Sequence, residues 1–177
     1  MYILCVGYCR TNNMDNSNNW VNTATMLRSH GEQWTMNSIG NKAYALGGWR
    51  HNQYDVEWLE EFDNGKWSYK ASFPYSIRSH CTAADEETGR LWVTGGLYHD
   101  GNISHVRRDV HYYEVKFLLV SSLVPQTSYI QVSTNTWHNS GKLLSHHLYQ
   151  HTCGIVKMTS NDQKRLYLFG GHHIGWR

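Results

Sequence analysis

Three apolar segments of strand length recur along the chain, and each ends in a pair of glycines. They are Ala43–Gly48, Leu91–Gly96 and Leu166–Gly171, and the segment Ile3–Gly7 has the same character with a single glycine. Polar turn residues flank the copies, so the pattern predicts β-strands that stop at the glycines.

Two further features recur in the same order as these strands. The tripeptides Arg28–His30 and Arg78–His80 each precede a glycine pair, and His151–Cys153 holds the matching place before the last pair. An Asp-Val-x-aromatic string follows two of the pairs, at Asp55–Trp58 and Asp109–Tyr112. A lone tryptophan stands between each glycine element and the next histidine, at Trp20, Trp67 and Trp137. These features predict a repeat of about 50 residues.

The repeat resembles the kelch family, whose marks are a diglycine, a downstream aromatic residue and a tryptophan in a period of about 50 residues. The resemblance implies an all-β fold of β-propeller blades, each a twisted four-stranded sheet packed against its neighbours. Glycine pairs allow positive φ and close backbone approach, and tryptophans fill the space between sheets. We therefore assign structural roles to Gly47, Gly48, Gly95, Gly96, Gly170, Gly171, Trp20, Trp67 and Trp137.

The register divides residues 1–177 into a partial blade at 1–27, blades at 28–74 and 75–144, and a partial blade at 145–177. The predicted strands are Tyr2–Gly7, Trp20–Thr23, Gly31–Met36, Lys42–Gly47, Asp55–Phe62, Lys66–Ala71, His80–Asp85, Arg90–Gly95, Asp109–Val115, Asn135–Asn139, His151–Met158 and Arg165–Gly170. The Asn-rich segment Thr11–Asn19 is expected to have lost its strand. Closed propellers use about four to eight blades, so we expect an unclosed ring and a piece of a longer protein.

The third repeat carries an apolar insert. Removing Lys116–Val132 joins Val115 to Ser133 and restores the alignment with Asp55–Trp67. The flanking codons that these residues allow, and the pyrimidine-rich codons available inside, suggest the hypothesis that residues 116–132 are a translated, unspliced intron. The alternative is a genuine long hairpin, which a propeller tolerates because long loops add little closure entropy.

The resemblance also places a binding face. In kelch adaptors the loops between strands b and c, and between strand d and the next strand a, contact the partner. By position these loops hold Arg28, Trp49, Arg50, Tyr54, Tyr75, Arg78, Tyr98, His99, Arg107 and Trp176. Trp, Tyr and Arg are enriched at interface hot spots, so the residue types fit a protein surface. We predict a protein–protein interaction module rather than an enzyme, such as a ubiquitin-ligase substrate adaptor or an actin-associated protein.

Composition narrows the partner and the compartment. The net charge is +2 and the 16 basic residues form no run, so neither nucleic acid nor a membrane surface is expected as a partner. Aromatic residues make up 14% of the chain, which suits a β protein. Four cysteines are far too few for a disulfide scaffold, so we expect buried free thiols, although the even count would permit two disulfides. The compartment stays open, with a cytoplasmic location favoured over a secreted one.

Twelve histidines raise the question of a metal site. Neighbours such as His146-His147 and His172-His173 would point to opposite faces of a strand, and no metal-binding motif is present, so we predict no metal and no cofactor. His30, His80 and His151 recur with the repeat, which indicates hydrogen bonding between blades.

Two alternative functions stay open at this point. A secreted or cell-surface recognition domain would be supported by a Cys5–Cys9 pair or by sugar on Asn102 of the sequon Asn102–Ser104. A copper oxidoreductase fragment similar to galactose oxidase would be supported by bound copper.

Overall fold

The computed structural model of the chain describes residues 3–6, 10–14, 20–50, 55–120, 128–159 and 162–173. Within these ranges the chain forms seventeen β-strands and no helix, which confirms the all-β class predicted from the sequence. Every strand pairing among them is antiparallel. The described part therefore contains no helix that could cross a membrane.

The first sheet has three strands in chain order: β1 (Ile3–Val6), β2 (Arg10–Met14) and β3 (Trp20–Thr25). Strand β2 corrects the expectation that the Asn-rich segment Thr11–Asn19 had lost its strand. It pairs with β1 on one side and β3 on the other. A strand between two others is held by backbone hydrogen bonds on both edges, so it can form without apolar side chains.

A four-stranded meander follows, made of β4 (Thr35–Ile39), β5 (Lys42–Leu46), β6 (Leu59–Asp63) and β7 (Lys66–Tyr69). Two strands begin later than predicted. Strand β4 was expected from Gly31, but Gly31 and Gln33 have positive φ and bend the chain first. Strand β6 was expected from Asp55, which instead forms an isolated bridge with Trp49.

The third sheet contains β8 (Cys81–Asp85), β9 (Arg90–Thr94), β12 (Asp109–Val120) and β13 (Ser128–Leu143), paired in that order. Between β9 and β12 lies a two-stranded hairpin of β10 (Leu97–His99) and β11 (Ser104–Val106). Sequence reasoning predicted residues 97–108 as a loop, so this hairpin is a correction. Its strands have only three residues each and pair Leu97 with Val106, Tyr98 with His105 and His99 with Ser104, which is too short a run to show an apolar period.

The insert extends the hairpin between β12 and β13 beyond the sheet. Residues 116–120 pair with residues 128–132, and a register shift between Glu114 and Val115 marks the start of the extension. The described residues of the insert thus form two paired strands, as expected for the long hairpin that was the alternative to the intron. The origin of the segment at the level of the transcript stays a prediction.

The last part of the chain forms two small pairings. Strands β15 (Thr152–Lys157) and β16 (Lys164–Phe169) make a hairpin close to its predicted position. Strand β14 (Leu148–Tyr149) pairs with β17 (His172–His173), a segment that was predicted to begin a loop.

At most of the paired glycines, the end of a second strand meets the segment that leads into a first strand, either of the next sheet or of the same sheet. All six glycines have positive φ, from 57° at Gly95 to 121° at Gly48. A Cβ atom on Gly47 would lie 2.4 Å from the backbone oxygen of Ile77, in the segment that leads into β8. Within its own sheet, a Cβ on Gly96 would lie 2.8 Å from Cβ of His80 and 2.9 Å from the backbone oxygen of Arg78, just before β8. Only glycine leaves room for the two backbones at these points.

Three buried histidines hold the segments that lead into the sheets, and two of them reach the preceding sheet. His80 Nε2 lies 2.8 Å from Thr35 Oγ1 of the preceding sheet, and His151 Nε2 lies 2.8 Å from Thr94 Oγ1 in the same relation. His30 Nδ1 lies 2.7 Å from the backbone oxygen of Gly47, which follows the second strand of the same sheet, so the hydrogen bond predicted between repeats is not formed by this atom. Burial lowers the pKa of His80 to about 3, so this ring is neutral at physiological pH.

The main core fills the space between the two four-stranded sheets. Its buried members are Ile39, Tyr44, Leu46, Leu59, Phe73, Ile77, Leu91, Val93, Tyr113 and Val115. Trp137 packs against this cluster and donates from Nε1 to the backbone oxygen of Ala71 at 2.8 Å. Trp67 belongs to a second cluster on the opposite face of the first four-stranded sheet, with Met26, Ala43, Ala45 and Phe62. The side chain of Trp20 lies outside the described residues.

A disulfide joins Cys81 of β8 to Cys153 of β15. The expectation of buried free thiols is therefore wrong for these two cysteines. The recurrent packing of β8 beside β15 brings their Cα atoms to 5.9 Å, a proximity that a separation of 72 residues in sequence does not reveal.

Gly47 and Gly40 offer a matched test of the close approach. Their φ angles are 65° and 61°, but a Cβ on Gly40 would meet nothing within 4 Å. Both Gly47→Ala and Gly40→Ala should lose about 1 kcal/mol from backbone strain. Gly47→Ala should lose about 3 kcal/mol or more in total, because a backbone carbonyl must also move. Thermal and denaturant unfolding measure the difference in stability. Equal losses of stability in the two variants would contradict the close contact between Gly47 and the backbone of Ile77.

Candidate binding groove

The loops that follow β5 and β9 converge with the loop before β8 and line an open groove of about 620 Å³. The described residues that line it are Asp55, Glu57, Phe73, Pro74, Tyr75, Ser76, Tyr98, His99, Asp100 and Gly101. They include three carboxylates and two tyrosines, and neither lysine nor arginine is among them. The groove is therefore acidic and aromatic.

Asp55 supplies a buried carboxylate to the groove. Its side chain is only 1% exposed, and Oδ1 lies 3.1 Å from Nη1 of Arg78. Among the described residues, neither carboxylate oxygen accepts a hydrogen bond of normal geometry. Burial raises the pKa of Asp55, and the charges of Arg78 and His99, with a weak backbone contact from His99, lower it by less. The carboxylate thus retains capacity to accept hydrogen bonds.

Arg78 connects two successive repeats. Its guanidinium carbon lies 5.5 Å from the ring centre of Trp49, and Nη2 donates to Ser104 Oγ at 3.4 Å. Because it already faces Asp55 and stacks on Trp49, Arg78 braces the wall of the groove rather than facing a ligand with a free charge.

Asp109 is the counterpart of Asp55 in the next repeat, and it forms its ion pair with Arg107 of its own repeat. Arg107 Nε donates to Asp109 Oδ2 at 3.1 Å, and its Nη2 makes a second contact with the same oxygen. Tyr75 donates its hydroxyl to Asp109 Oδ2 at 3.2 Å, while the guanidinium of Arg107 lies 4.7 Å from the Tyr75 ring centre. The position that corresponds to Arg78 is Tyr149, so the local Arg107 takes its place.

The aromatic wall is formed by Tyr75 and Tyr98, whose ring centres are 5.7 Å apart in an edge-to-face arrangement. Tyr98 also stacks on His105 at 6.0 Å. Burial raises the pKa of Tyr75, and the nearby carboxylate of Asp109 raises it further. The phenol therefore stays protonated and serves as a hydrogen-bond donor.

The carboxylates of Asp100 and Glu57 differ in the number of hydrogen bonds that they accept within the protein. Asp100 Oδ1 accepts from the backbone N–H groups of Ile103 at 3.0 Å and Asn102 at 2.9 Å, and Oδ2 lies 2.8 Å from His105 Nε2. The Ile103 hydrogen bond, and then the His105 contact, lower the pKa of Asp100 below its usual range. Glu57 is half-buried, and its side chain has no polar partner among the described residues. Glu57 is thus the carboxylate most available to a ligand.

The sequence predictions for the binding face divide into four groups. Tyr75, Tyr98 and His99 line the groove, whereas Arg78, Trp49 and Arg107 support it from behind. Arg28 and Arg50 lie apart, where both guanidinium groups cover the ring of Trp58, at 4.5 Å and 5.7 Å. Tyr54 and Trp176 fall outside the described residues.

Sequence reasoning missed the carboxylates and Phe73. Asp55 had been assigned to a strand, and Glu57 and Asp100 are not of the residue types used to predict hot spots. The Asp-Val-x-aromatic string was the available signal, because a charged residue that recurs beside buried strands needs a partner.

No group of three or more His, Cys, Asp or Glu side chains in the described part of the chain is arranged to hold a metal ion.

Comparisons with known proteins give a likeness of fold. No family model matches the chain, and no curated protein matches it. Among solved structures, 105 chains match, including that of YjhT, with a TM-score of 0.50 and 18% sequence identity. The match covers 76% of this chain and 33% of the YjhT chain, so the present chain spans about a third of that protein's length.

The coupling energy of the Asp55–Arg78 ion pair can be measured with a double-mutant cycle. Asp55→Asn, Arg78→Met and the double variant should give a coupling energy of about 1–3 kcal/mol, because each single change leaves a largely buried group without its partner. The exposed pair Lys157–Asp162, at 3.6 Å, is the control and should couple by less than about 0.5 kcal/mol. Denaturant unfolding provides the four stabilities. Equal coupling in the two pairs would show that Arg78 does not brace Asp55.

Proposed function

We propose that this chain is part of a kelch-type β-propeller that serves as a protein-interaction module rather than an enzyme. The recurring order of glycine pair, Asp-Val-x-aromatic string, tryptophan and histidine supports this assignment. So does the arrangement of the sheets, since β4 lies beside β8 and β8 lies beside β15. First strands that follow one another in this way would be the inner strands of successive blades.

The acidic, aromatic groove is the observation on which the binding function rests. Its volume of about 620 Å³ falls within the range of about 300–1,000 Å³ that is usual for ligand sites. The ion pairs Asp55–Arg78 and Asp109–Arg107 fix the loops that form its walls. Binding a partner would therefore cost little conformational entropy of these loops. The groove would receive a loop or an extended segment of a protein partner, as in a substrate adaptor or an actin-associated protein.

The charge of the groove favours a basic segment of that partner. A lysine or arginine side chain could contact the carboxylate of Glu57 and lie against the rings of Tyr75 and Tyr98. Cations are attracted both to carboxylates and to aromatic rings, more strongly where water is displaced. An acidic segment would meet the carboxylates of Glu57 and Asp100 and would be repelled.

Selection from a displayed peptide library tests both the function and the charge. The immobilised chain should enrich peptides that contain arginine or lysine, with affinity that falls as salt rises. Glu57→Gln should weaken the affinity for the selected peptides about tenfold or more, because it removes a hydrogen bond to a charged group.

Glu86→Gln is the matched control. Glu86 lies in the turn between β8 and β9, at the opposite end of the sheet, and its carboxylate accepts a hydrogen bond from the backbone of Gly40 that glutamine can also accept. This variant should bind the selected peptides like the parent chain. Failure to enrich any sequence would overturn the binding function, and enrichment of acidic sequences would overturn only the assigned charge.

A second candidate function is a recognition domain of a secreted or cell-surface protein. The disulfide between Cys81 and Cys153 favours it, because such bonds persist in oxidising compartments and are rare in the cytosol. This candidate keeps the same groove and changes the place where a partner would be met.

Peptide mapping of protein isolated from its own cells separates the two compartments. Free thiols are alkylated at lysis, before any air oxidation. A secreted domain should give a peptide that joins Cys81 to Cys153 and disappears on reduction. Full alkylation of both residues would contradict the second candidate and favour the intracellular adaptor.

A further inference from the structure

We propose that Asn102 is an N-glycosylation site, at which an oligosaccharide is attached to the side-chain amide. The inference rests on the second candidate function, the secreted or cell-surface domain, and is independent of what the groove binds. Asn102-Ile103-Ser104 is the single Asn-x-Ser/Thr sequence in the whole chain, so one site accounts for any N-linked sugar.

The sequon lies at the tip of the β10–β11 hairpin. Residues 101–104 are all exposed, and the two strands pair from Leu97↔Val106 to His99↔Ser104, so Asn102 and Ile103 lie in the turn and Ser104 begins β11. An acceptor asparagine must enter the active site of a transferase, and the end of a short projecting hairpin meets this need.

The turn is ordered, but the acceptor group is free. Asp100 holds the backbone N–H groups of Asn102 and Ile103, which fixes the backbone of the tripeptide. The side-chain amide of Asn102 has no hydrogen bond to the described residues. Ser104 Oγ accepts one long bond of 3.4 Å from Arg78 and retains its own proton for donation.

Ile103 gives a second reason to expect a covering group at this point. It is 58% exposed, among the highest values for a large apolar side chain in the described part of the chain. A sugar on the preceding residue would shield it from other proteins. Asp100 and Gly101 line the groove whereas Asn102 does not, so the sugar would stand at the groove's edge and leave it open.

The disulfide is an independent observation that points to the same compartment. Forming it removes two electrons and two protons from the thiols of Cys81 and Cys153, and a disulfide-carrying oxidoreductase accepts them. The same compartment of eukaryotic cells supplies the sugar donor, a lipid-linked pyrophosphate oligosaccharide.

The transfer balances without an oxidant. The Nδ2 atom of Asn102 forms a bond to the anomeric carbon of the sugar, and the bond from that carbon to the pyrophosphate oxygen breaks. The lipid pyrophosphate leaves with the electron pair, and the amide gives up one proton to solvent through a base of the transferase.

Intact-mass and peptide mapping of the full chain, made in eukaryotic cells with its native flanking sequence, test the proposal. The parent chain and Ser104→Thr should carry a glycan that a peptide N-glycosidase removes while converting Asn102 to aspartate. Asn102→Gln and Ser104→Ala should carry none. Ser104→Thr keeps the sequon, so it separates loss of the acceptor sequence from damage to the hairpin.

The disulfide-linked peptide is read in the same samples. An unmodified Asn102 in a chain with the Cys81–Cys153 bond intact would contradict the proposed glycosylation site. It would leave the proposal of a secreted or cell-surface domain unaffected. A bare Asn102 together with two free thiols would overturn both.

Discussion

Where a side chain on Gly47 would begin, the backbone oxygen of Ile77 already stands, and the ring of His80 lies beside it. The same contact recurs between Gly95, the oxygen of Leu148 and the ring of His151. Each contact joins the end of a second strand to the segment that leads into the next sheet. Because it admits no Cβ atom, it sets the distance between successive sheets, and the core must be filled at that distance. A buried imidazole ring without a charged partner is stable only in its neutral form. Burial lowers the pKa values of His80 and His151, so both rings are neutral at physiological pH.

The groove follows from this spacing. Every chain segment that leaves a glycine pair emerges at the same end of its sheet, so the loops after β5 and β9 are brought together. Asp55 then meets Arg78 of the next repeat, and burial of the carboxylate makes that partner necessary. Asp109 would meet Tyr149 in the equivalent place and instead takes Arg107 from its own loop. The arginines therefore act as braces, and the charge left facing the groove is negative.

This outcome shows what the sequence could and could not reveal. Strand ends at glycine pairs were readable because local backbone geometry requires glycine there, and β5, β9 and β16 end where the pattern predicted. The acidic character of the groove was not readable, since it depends on which charges are cancelled by partners distant in sequence. The Cys81–Cys153 pair was hidden for the same reason, as only the neighbouring positions of β8 and β15 bring it together. Strand β2 was missed because backbone pairing on two edges outweighs an unfavourable composition.

The contact that β8 makes with β4 and the contact that it makes with β15 are secured in different ways. The large core between the two four-stranded sheets buries ten apolar side chains, and hydrogen bonds from Asn37 to Thr82 support it. On the other side of β8, strands β15 and β16 form a hairpin whose Ile155, Leu166 and Leu168 are half-buried. A cross-link that closes a loop of 72 residues contributes about 4 kcal/mol by restricting the unfolded chain. The disulfide joins β8 directly to β15, so this free energy adds to the apolar burial that holds the hairpin against β8.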